Sequence, residues 1–401
     1  MPSERPATGA RGSEVLSVAL DATPLLGRPT GVGAFCGGAL AGLAARPDVS
    51  ASAFAVSWRR RHLLADLVPA GVGVRQRAMP ARPLLRAWRR GTVPPVDWFI
   101  GRHDVVHGTN FVVPPTAHGA RVATVHDLTV VRFPELCDGP TLAYPDLIRR
   151  SLADGAWIHT PSVYVAGEVV EAFGADPDRV RAVHHGVPAL PPPDLGADGT
   201  AVLPFVLPAG TRRYVLALGT IEPRKDYPSL VAAFTALARE DPDLALVIVG
   251  ADGWGSDAVS RAIAASPAAG RILRPGYLSG RDVATALAGA AVLAFPSVYE
   301  GFGLPPVQAM AAGTPVVTTA VGAIPEVVGD AAVLIAPGDP DALAGALAGV
   351  LAGGDEVVRL VARGRDRAIR FTWDACASGL AGLYRDAAAD SRTAPARGSA
   401  G

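Results

Sequence analysis

The chain has 401 residues with 37 basic and 37 acidic side chains, so its formal net charge is zero. This length predicts two domains, and the neutral charge argues against a nucleic-acid-binding protein. No apolar run is long enough to span a membrane, no N-terminal signal segment is evident, and three scattered cysteines argue against a disulfide framework. Lysine occurs once, at Lys225.

Short apolar runs alternate with alanine-rich helical stretches along the chain. Because the runs show little alternation of apolar and polar residues, they predict parallel strands covered on both faces. The predicted strands are 15–20, 51–56, 104–107, 122–125, 157–160, 180–184, 214–218, 244–249, 272–274, 292–295, 315–318 and 332–335. The pattern occurs twice and predicts an α/β protein with two doubly wound parallel sheets.

A proline-rich stretch at 187–212 predicts an interdomain linker. Two joined α/β halves also imply a cleft at the carboxyl ends of their strands, where such sheets bind ligands. The predicted parts are a disordered tail at 1–13, an N-terminal domain at 14–190, a linker at 191–212, a C-terminal domain at 213–368, a last helix at 369–390 that packs back on the N-terminal domain, and a disordered tail at 391–401.

The first glycine-rich segment follows the first predicted strand. Gly31 and Gly33 are expected between that strand and the first helix, where glycine allows the backbone to approach a phosphate or a sugar. Cys36 stands where a dinucleotide-binding motif has its third glycine, so the segment is not that motif. A plain turn is the alternative interpretation.

Residues 59–102 contain ten arginines but only two acidic residues, Asp66 and Asp97. Within this stretch, residues 82–89 predict an amphipathic basic helix that includes Arg86 and Arg89. Such a helix suits an anionic acceptor or a membrane surface. A solvated face in an arginine-rich protein is the alternative.

Polar residues follow two further strands of the first half. Asn110 comes after the strand at 104–107, and His126 and Asp127 come directly after the strand at 122–125. Because the carboxyl ends of parallel strands meet at one edge, these side chains are expected to line the cleft. A turn cap at Asn110 and a structural role for His126 are the alternatives.

The single lysine lies in the segment LGTIEPRKDYPSL at 218–230. A strand leads through a turn to Arg224 and Lys225, and a helix is predicted to begin near Tyr227 or Pro228. Two cations beside the free N–H groups of a helix N-terminus can hold a phosphate. Without an anion, cations at that helix end are unfavourable, so we prefer a phosphate site to a solvated basic pair.

A second specific segment, FPSVYEGFGLPPVQ, spans 295–308. A buried strand ends at Phe295, and a helix is predicted to begin near 304–306. Gly301 and Gly303 permit a close approach of backbone amides to a ligand. Glu300 and, eight residues later, Gln308 place a carboxylate and an amide toward the cleft.

Three Asp-Pro-Asp strings occur at 176–178, 241–243 and 339–341. Paired aspartates can bind a divalent metal, but these strings fall at predicted helix edges and turns. They therefore predict caps and turns rather than a metal site.

Together these segments resemble the retaining GT-B glycosyltransferases of glycosyltransferase family 4, or group 1. Both halves resemble bacterial mannosyltransferase-like members that act on glycolipids or polysaccharides. The similarity covers nearly the whole chain, because TGVGAF, VATVHDL, LGTIEPRKDYPSL, FPSVYEGFGLPPVQ and AIPEVVGD occur in the family's order. It implies a GT-B fold with two Rossmann-like domains facing across a cleft. It also implies metal-independent, retaining transfer of a sugar from a nucleotide diphosphate sugar to an acceptor hydroxyl.

The resemblance also assigns roles to residues. It implies that Lys225 binds the donor diphosphate, that Glu300 contacts donor-sugar hydroxyls, and that His126 lies near the reacting carbon. The catalytic residues are therefore predicted to be His126, Lys225 and Glu300. The implied donor-binding residues are Gly31, Gly33, Arg224, Tyr277, Leu278, Gly301, Phe302, Gly303, Leu304 and Gln308. The predicted acceptor residues are Asn110, Asp127, Arg86 and Arg89.

The predicted co-substrate is a GDP-, UDP- or dTDP-sugar, with no bound cofactor and no nucleic-acid partner. The acceptor is a glycan, a lipid-linked glycan or a small molecule, as in glycolipid, polysaccharide or glycosylated natural-product biosynthesis. We expect a cytoplasmic enzyme with peripheral contact to the inner face of the membrane. Alternatives are a phosphorylase whose Lys225 carries pyridoxal phosphate and a non-catalytic sugar-nucleotide-binding protein.

The chain departs from the family pattern at Gln308. Family members have a glutamate here, separated from the first glutamate by seven residues, and it accepts hydrogen bonds from ribose hydroxyls. An amide accepts through one uncharged oxygen only. The change implies weaker donor binding and tolerance of a deoxyribose nucleotide such as a dTDP-sugar. A second departure is Thr220, because many members have an arginine there.

Overall fold

The computed structural model describes residues 15–27, 30–137, 139 and 141–393. The predicted tail at 1–13 lies outside these residues, as do residues 394–401 of the predicted C-terminal tail. Residues 391–393 of that tail are helical. In this described part of the chain, no helix combines the length and the hydropathy needed to cross a membrane.

All twelve predicted strands are present, with ends that differ by two residues at most. The strands in the described residues are β1 Leu16–Asp21, β2 Val49–Phe54, β3 Gly73–Arg75, β4 Val105–Gly108, β5 Ala120–Thr124, β6 Trp157–Thr160, β7 Val180–Ala182, β8 Arg213–Leu218, β9 Leu244–Val249, β10 Ile272–Gly276, β11 Val292–Phe295, β12 Val316–Thr319 and β13 Val333–Ile335. The additional strand, β3, is short and largely exposed, so no apolar run marks it.

The strands alternate with helices, as the sequence predicts. The helices in the described residues are α1 Gly31–Ala44, α2 Leu64–Leu67, α3 Ala81–Trp88, α4 Asp97–Ile100, α5 Thr129–Arg132, α6 Tyr144–Ala153, α7 Val163–Phe173, α8 Tyr227–Glu240, α9 Ser256–Ala265, α10 Gly280–Ala288, α11 Leu304–Ala312, α12 Ile324–Val328, α13 Pro340–Leu351, α14 Asp355–Ala368 and α15 Trp373–Thr393.

The strands form two sheets of the doubly wound type. The first has seven strands in the order β3-β2-β1-β4-β5-β6-β7, and the second has six in the order β10-β9-β8-β11-β12-β13. Neighbouring strands pair in parallel wherever the structure describes their register. The predicted fold class of two parallel α/β sheets is therefore confirmed. In each sheet the strand order reverses once. The reversal lies between β1 and β4 in the first sheet and between β8 and β11 in the second.

The second sheet is buried on both faces, as its continuous apolar strands predict. In β9, Ala245, Val247 and Val249 belong to one hydrophobic cluster. The alternate residues Leu244, Leu246 and Ile248 belong to a second cluster. Because successive side chains of a strand point to opposite faces, each face of the sheet needs its own layer of helices.

The last helix, α15, packs within the unit that contains β1 and β4. Tyr384 and the His107 ring Nδ1 form a hydrogen bond of 2.6 Å. The Trp157 indole donates to Asp390 Oδ2 at 3.2 Å. Ser378, near the start of α15, accepts a hydrogen bond of 2.7 Å from the Arg46 guanidinium.

Internal contacts divide the chain into two compact units. Of the described residues, the first unit contains those up to Ala123, Gly155–Trp157 and those from Ala377 to Thr393. The second unit contains the described residues of Thr124–Asp154 and Ile158–Cys376. The loops that follow β5 and β6 thus belong to the unit of the second sheet. The domain boundaries at residues 190 and 213 stay a prediction.

Candidate active site

The second sheet reverses its strand order between β8 and β11, and the Lys225 and Glu300 segments follow these two strands. The loop at 219–226 leaves β8, and the loop at 296–303 leaves β11. Ligands of open parallel sheets bind at the carboxyl edge of such a reversal, because the connections diverge there and leave a crevice. The strand order therefore brings together two segments about 75 residues apart in sequence.

Left-handed residues end both loops and start the following helices. Asp226 has a φ of 47° and precedes α8, which begins at Tyr227 as predicted. Gly303 has a φ of 101° and precedes α11, which begins at Leu304 as predicted. Both helices carry proline in the first turn, where a missing N–H costs no helical hydrogen bond.

Four charged side chains form a buried cluster between the two loops. Lys225 Nζ lies 2.6 Å from Glu300 Oε1, and an Arg224 Nη lies 2.7 Å from Glu300 Oε2. The other Nη of Arg224 lies 2.6 Å from Glu222 Oε1. The exposed fractions of these side chains lie between 8% and 15%. The Lys225 ammonium also lies 4.6 Å from the centre of the Phe295 ring.

The electrostatics of this charged cluster keep the Glu300 carboxylate ionised. Burial by itself raises the pKa of Glu300, but the positive charges of Arg224 and Lys225 outweigh burial and lower it to about 2. Burial lowers the pKa of Lys225, and Glu300 offsets this in part. Burial also lowers the pKa of Arg224, but the carboxylates of Glu300 and Glu222 more than compensate and raise it.

The loop that contains His126 lies directly against the loop that contains Glu300. A Cβ added at Gly301 would lie 1.9 Å from the His126 carbonyl oxygen. Tyr299 strengthens this contact, because its hydroxyl accepts a hydrogen bond of 2.9 Å from the Leu128 amide and donates to Glu168. His126 and Glu300 thus belong to adjoining loops of one unit.

Two side chains join the N-terminus of α7 to the loops of the second sheet. The Ser162 hydroxyl caps α7 and donates to the Gly301 carbonyl at 2.9 Å. The Glu326 carboxylate accepts from the amides of Val163 and Tyr164 at 2.9 and 3.0 Å, and it lies 2.7 Å from the His184 ring. A carboxylate is favourable here, since it meets the positive end of the helix dipole.

The His126 ring is part of an aromatic group. Its centre lies 5.4 Å from that of His185, which lies 5.3 Å from that of Phe302. Burial is the main reason that the pKa of His185 is well below its ordinary value, with the neighbouring histidines adding to it. His185 is therefore neutral at physiological pH and packs beside His126 as an uncharged ring.

The other predicted donor residues of this unit occupy two regions. Phe302, Gly303 and Leu304 form the turn into α11, and the half-buried Gln308 lies one turn further along that helix. Tyr277 and Leu278 follow β10, where Tyr277 is 57% exposed. Asp127 lies after β5 and accepts from the Thr129 amide at 2.9 Å.

The remaining predicted site residues belong to the first unit. Gly31 and Gly33 were expected before the first helix, but they are its first and third residues. The Gly33 amide donates to the Thr30 hydroxyl, which caps the helix. Asn110 lies two residues beyond β4. Arg86 is in α3, and Arg89 is the residue that ends it.

The three Asp-Pro-Asp strings serve as caps and turns, as predicted. Asp176 accepts from the Asp178 amide at 3.0 Å, and Asp241 accepts from the Asp243 amide at 3.1 Å. Asp339 caps α13 by accepting from Ala342.

Three further polar residues of the site, Glu222, Tyr299 and Glu326, are not predicted from the sequence. Glu222 lies two residues before Arg224 in a segment with two acidic and two basic residues, and this balance could have indicated an internal ion pair. Tyr299 precedes Glu300, but its bond to Leu128 joins positions 171 residues apart. Glu326 lies in the quoted AIPEVVGD segment, where its sequence context suggests no partner.

Comparison with known proteins places the segments of this site within a known family. The sequence profile of the family described as Glycosyl transferases group 1 matches residues 203–367, which contain Lys225 and Glu300. O-antigen chain mannosyltransferase B from Escherichia coli is 31% identical over 283 residues, which cover 70% of this chain and 74% of that protein.

Two solved structures share the fold. Sucrose-phosphate synthase from Thermosynechococcus elongatus superposes with a TM-score of 0.72 at 20% identity, covering 94% of this chain and 100% of that one. Anabaena HepE in complex with UDP-glucose superposes with a TM-score of 0.65 at 18% identity, covering 92% and 99% of the two chains. Together with the two parallel sheets, these likenesses confirm the predicted GT-B fold.

Proposed function

Because this chain belongs to the group 1 glycosyltransferases, we propose that it transfers a sugar from a nucleotide diphosphate donor to an acceptor hydroxyl, with retention at the anomeric carbon. Within that group we assign it to family 4, on the segments around Lys225 and Glu300. The observation that carries the proposal is the buried cluster of Arg224, Lys225 and Glu300 at the strand-order reversal.

The chemistry of this site suits a leaving diphosphate. When the bond between the anomeric carbon and the phosphate oxygen breaks, negative charge grows on the diphosphate. Lys225 and Arg224 are fixed in a buried position, where a charge stabilises a developing anion more strongly than it does in water. The N-terminus of α8, which begins two residues after Lys225, adds N–H groups and a favourable dipole.

Retention follows from attack on the same face as the departing group. In the proposed step, the acceptor oxygen bonds to the anomeric carbon as the bond to the phosphate oxygen breaks. The acceptor proton passes to that phosphate oxygen, so the reaction balances without a further base. His126 lies in the loop that contacts Gly301, and its proposed role is to orient the donor sugar beside the reacting carbon.

The donor is tested by thermal-shift screening with GDP-, UDP-, dTDP- and ADP-sugars. We expect one nucleotide class to raise the melting temperature, since a ligand that binds only the folded state stabilises it. NMR of the product formed from that donor should show the donor's anomeric configuration. An inverted product would contradict retention, and the absence of any stabilising donor would contradict the proposed activity.

Gln308 is proposed to weaken the preference for ribose over deoxyribose. The wild-type enzyme should bind UDP and dTDP with similar affinity, whereas Gln308→Glu should favour UDP about tenfold, because a charged acceptor strengthens hydrogen bonds to ribose hydroxyls. Isothermal titration of both nucleotides into both proteins measures the difference. Equal preferences in wild type and variant would count against this role.

The acceptor is proposed to be a glycan or a lipid-linked glycan at the cytoplasmic face of a membrane. The relative named an O-antigen chain mannosyltransferase supports a glycan acceptor. The first unit carries a shallow groove lined by Arg82, Leu85, Arg86, Arg89 and Arg90. In α3, Leu84 and Trp88 are buried whereas Leu85 is exposed. Trp58, directly before the basic stretch at 59–102, and Trp98, within it, are also exposed. Basic and aromatic side chains together suit an anionic lipid interface.

Reversing the charge of Arg86 and Arg89 tests this surface. The double variant Arg86→Glu with Arg89→Glu should bind vesicles that contain phosphatidylglycerol at least about tenfold more weakly, because each basic residue near an anionic surface contributes about 1 kcal/mol. Cosedimentation with vesicles measures the binding. The matched control, Arg239→Glu with Arg370→Glu, changes the same charge at exposed positions of the second unit. Equal binding by both double variants would contradict membrane contact through α3.

A further inference from the structure

The buried cluster of Glu222, Arg224, Lys225 and Glu300 already balances its own charge. Its two cations and two carboxylates sum to a formal charge of zero. Glu300 alone contacts both cations, through one oxygen each, at 2.6 and 2.7 Å. The Glu222 carboxylate pairs with the other Nη of Arg224, at 2.6 Å. The cations that suit a phosphate are therefore covered by a carboxylate of the same chain.

Adding a diphosphate to this charged cluster would leave it with excess negative charge. Buried charges are tolerated when they are paired, and like charges that share a buried site repel each other strongly. Glu300 stays ionised at neutral pH, so protonation does not relieve the repulsion. A diphosphate can replace Glu300 on the cations only if the carboxylate moves to other hydrogen-bond donors.

We infer that Glu300 is an internal counter-ion that competes with the donor diphosphate for Lys225 and Arg224. This inference rests on the proposed function and adds a selectivity to the same site. A carboxylate that leaves two cations needs new donors, and sugar hydroxyls supply them whereas phosphate oxygens do not. The intact nucleotide sugar therefore displaces Glu300 at lower cost than a free diphosphate does.

The same competition favours product release. Once the sugar has been transferred, the nucleoside diphosphate no longer brings hydroxyls of a donor sugar to Glu300. The Glu300 carboxylate then returns to Lys225 and Arg224 and weakens the binding of the nucleoside diphosphate. The Glu222 carboxylate does not act in this way, because it pairs with Arg224 rather than with Lys225 and positions the Arg224 guanidinium. That guanidinium also donates to the Tyr299 carbonyl at 2.8 Å.

The experiment compares the binding of inorganic pyrophosphate to three proteins by isothermal titration. Glu300→Gln removes the counter-ion charge with little change of shape, and it should bind pyrophosphate at least about tenfold more tightly than wild type does. Glu222→Gln removes one negative charge from the same cluster but leaves Lys225 covered. Its affinity should change by less than about threefold. Equal affinities in wild type and Glu300→Gln, or equal gains in both variants, would overturn the inference.

Folding and function are controlled separately. Far-ultraviolet circular dichroism and a melting curve verify that Glu300→Gln is folded. If it is not, Glu300→Asp, whose shorter side chain draws the carboxylate away from the cations, should show a smaller gain for pyrophosphate, and no gain would overturn the inference. Pyrophosphate binding needs no sugar donor and no turnover. If Glu300→Gln binds pyrophosphate more tightly but no nucleotide sugar supports turnover, only the proposed function is rejected. If the enzyme turns over a nucleotide sugar but Glu300→Gln shows no gain in pyrophosphate affinity, only the counter-ion role of Glu300 is rejected.

Discussion

Replacing Lys225 with alanine is expected to lower kcat/KM at least about a thousandfold while the enzyme stays folded. The ammonium is the compact cation of the proposed diphosphate site, and the planar guanidinium of Arg224 beside it does not replace a compact charge. Folding survives because Glu300 keeps its contact of 2.7 Å with Arg224 and is not left as an unpaired buried charge. Steady-state kinetics with the donor found by thermal shift, together with a melting curve, measure both effects.

Arg239→Ala is the matched control for this loss. It removes one cation from the exposed last turn of α8, the helix that begins beside Lys225. Turnover should stay close to that of wild type, since the removed charge is exposed and solvent screens it. A Lys225→Ala variant with near-normal turnover would refute the role of Lys225, whatever the control shows.

Gly301→Ala is expected to lower kcat/KM about a hundredfold, because it separates the His126 loop from the Glu300 loop. The added Cβ would lie 1.9 Å from the His126 carbonyl oxygen and 2.9 Å from the Asp127 Cβ, so one loop must move. That movement weakens the hydrogen bond from the Leu128 amide to the Tyr299 hydroxyl and the hydrogen bond from the Ser162 hydroxyl to the Gly301 carbonyl. The free energy of unfolding should fall by about 1–3 kcal/mol, as measured by urea denaturation.

Gly345→Ala provides the comparison for this substitution. Gly345 lies within α13, and nothing lies within 4 Å of its added Cβ. Alanine is the better helix former, so this variant should gain about 0.5–1 kcal/mol of stability and keep its turnover. Gly301→Ala with wild-type turnover and stability would show that the two loops are not held in this contact.

The two loops explain why so much of the site could be predicted from local sequence. Lys225 and Glu300 each follow a continuous apolar run by a few residues, and such runs predict buried strands. In parallel sheets, residues after a strand lie at the ligand-binding edge. The helix starts at Tyr227 and Leu304 were also predictable, since proline in the first turn and glycine or aspartate before it are local signals.

Other features depended on contacts that local patterns do not encode. The short strand β3 is exposed and has no apolar run, so only its pairing with β2 defines it. Gly31 lies inside α1 rather than before it, because the Thr30 side chain caps the helix at its N-terminus. The glycines that follow Thr30 indicated a turn instead of a helix start. The hydrogen bond from the Leu128 amide to the Tyr299 hydroxyl joins loops that follow strands of different sheets, β5 and β11, so no local pattern indicates it.

The sequence by itself determined that this protein has two parallel α/β sheets and that Lys225 and Glu300 follow buried strands. Both conclusions depend on periodicity and turn residues within short windows. Only the tertiary structure decided that Glu300 covers Lys225 and Arg224 and that His126 adjoins Gly301. The reason is physical: β8 and β11 are neighbours in one sheet but distant in sequence, and β5, which precedes His126, belongs to the other sheet. Apolar runs of similar composition do not specify which strands become neighbours or which loops come into contact.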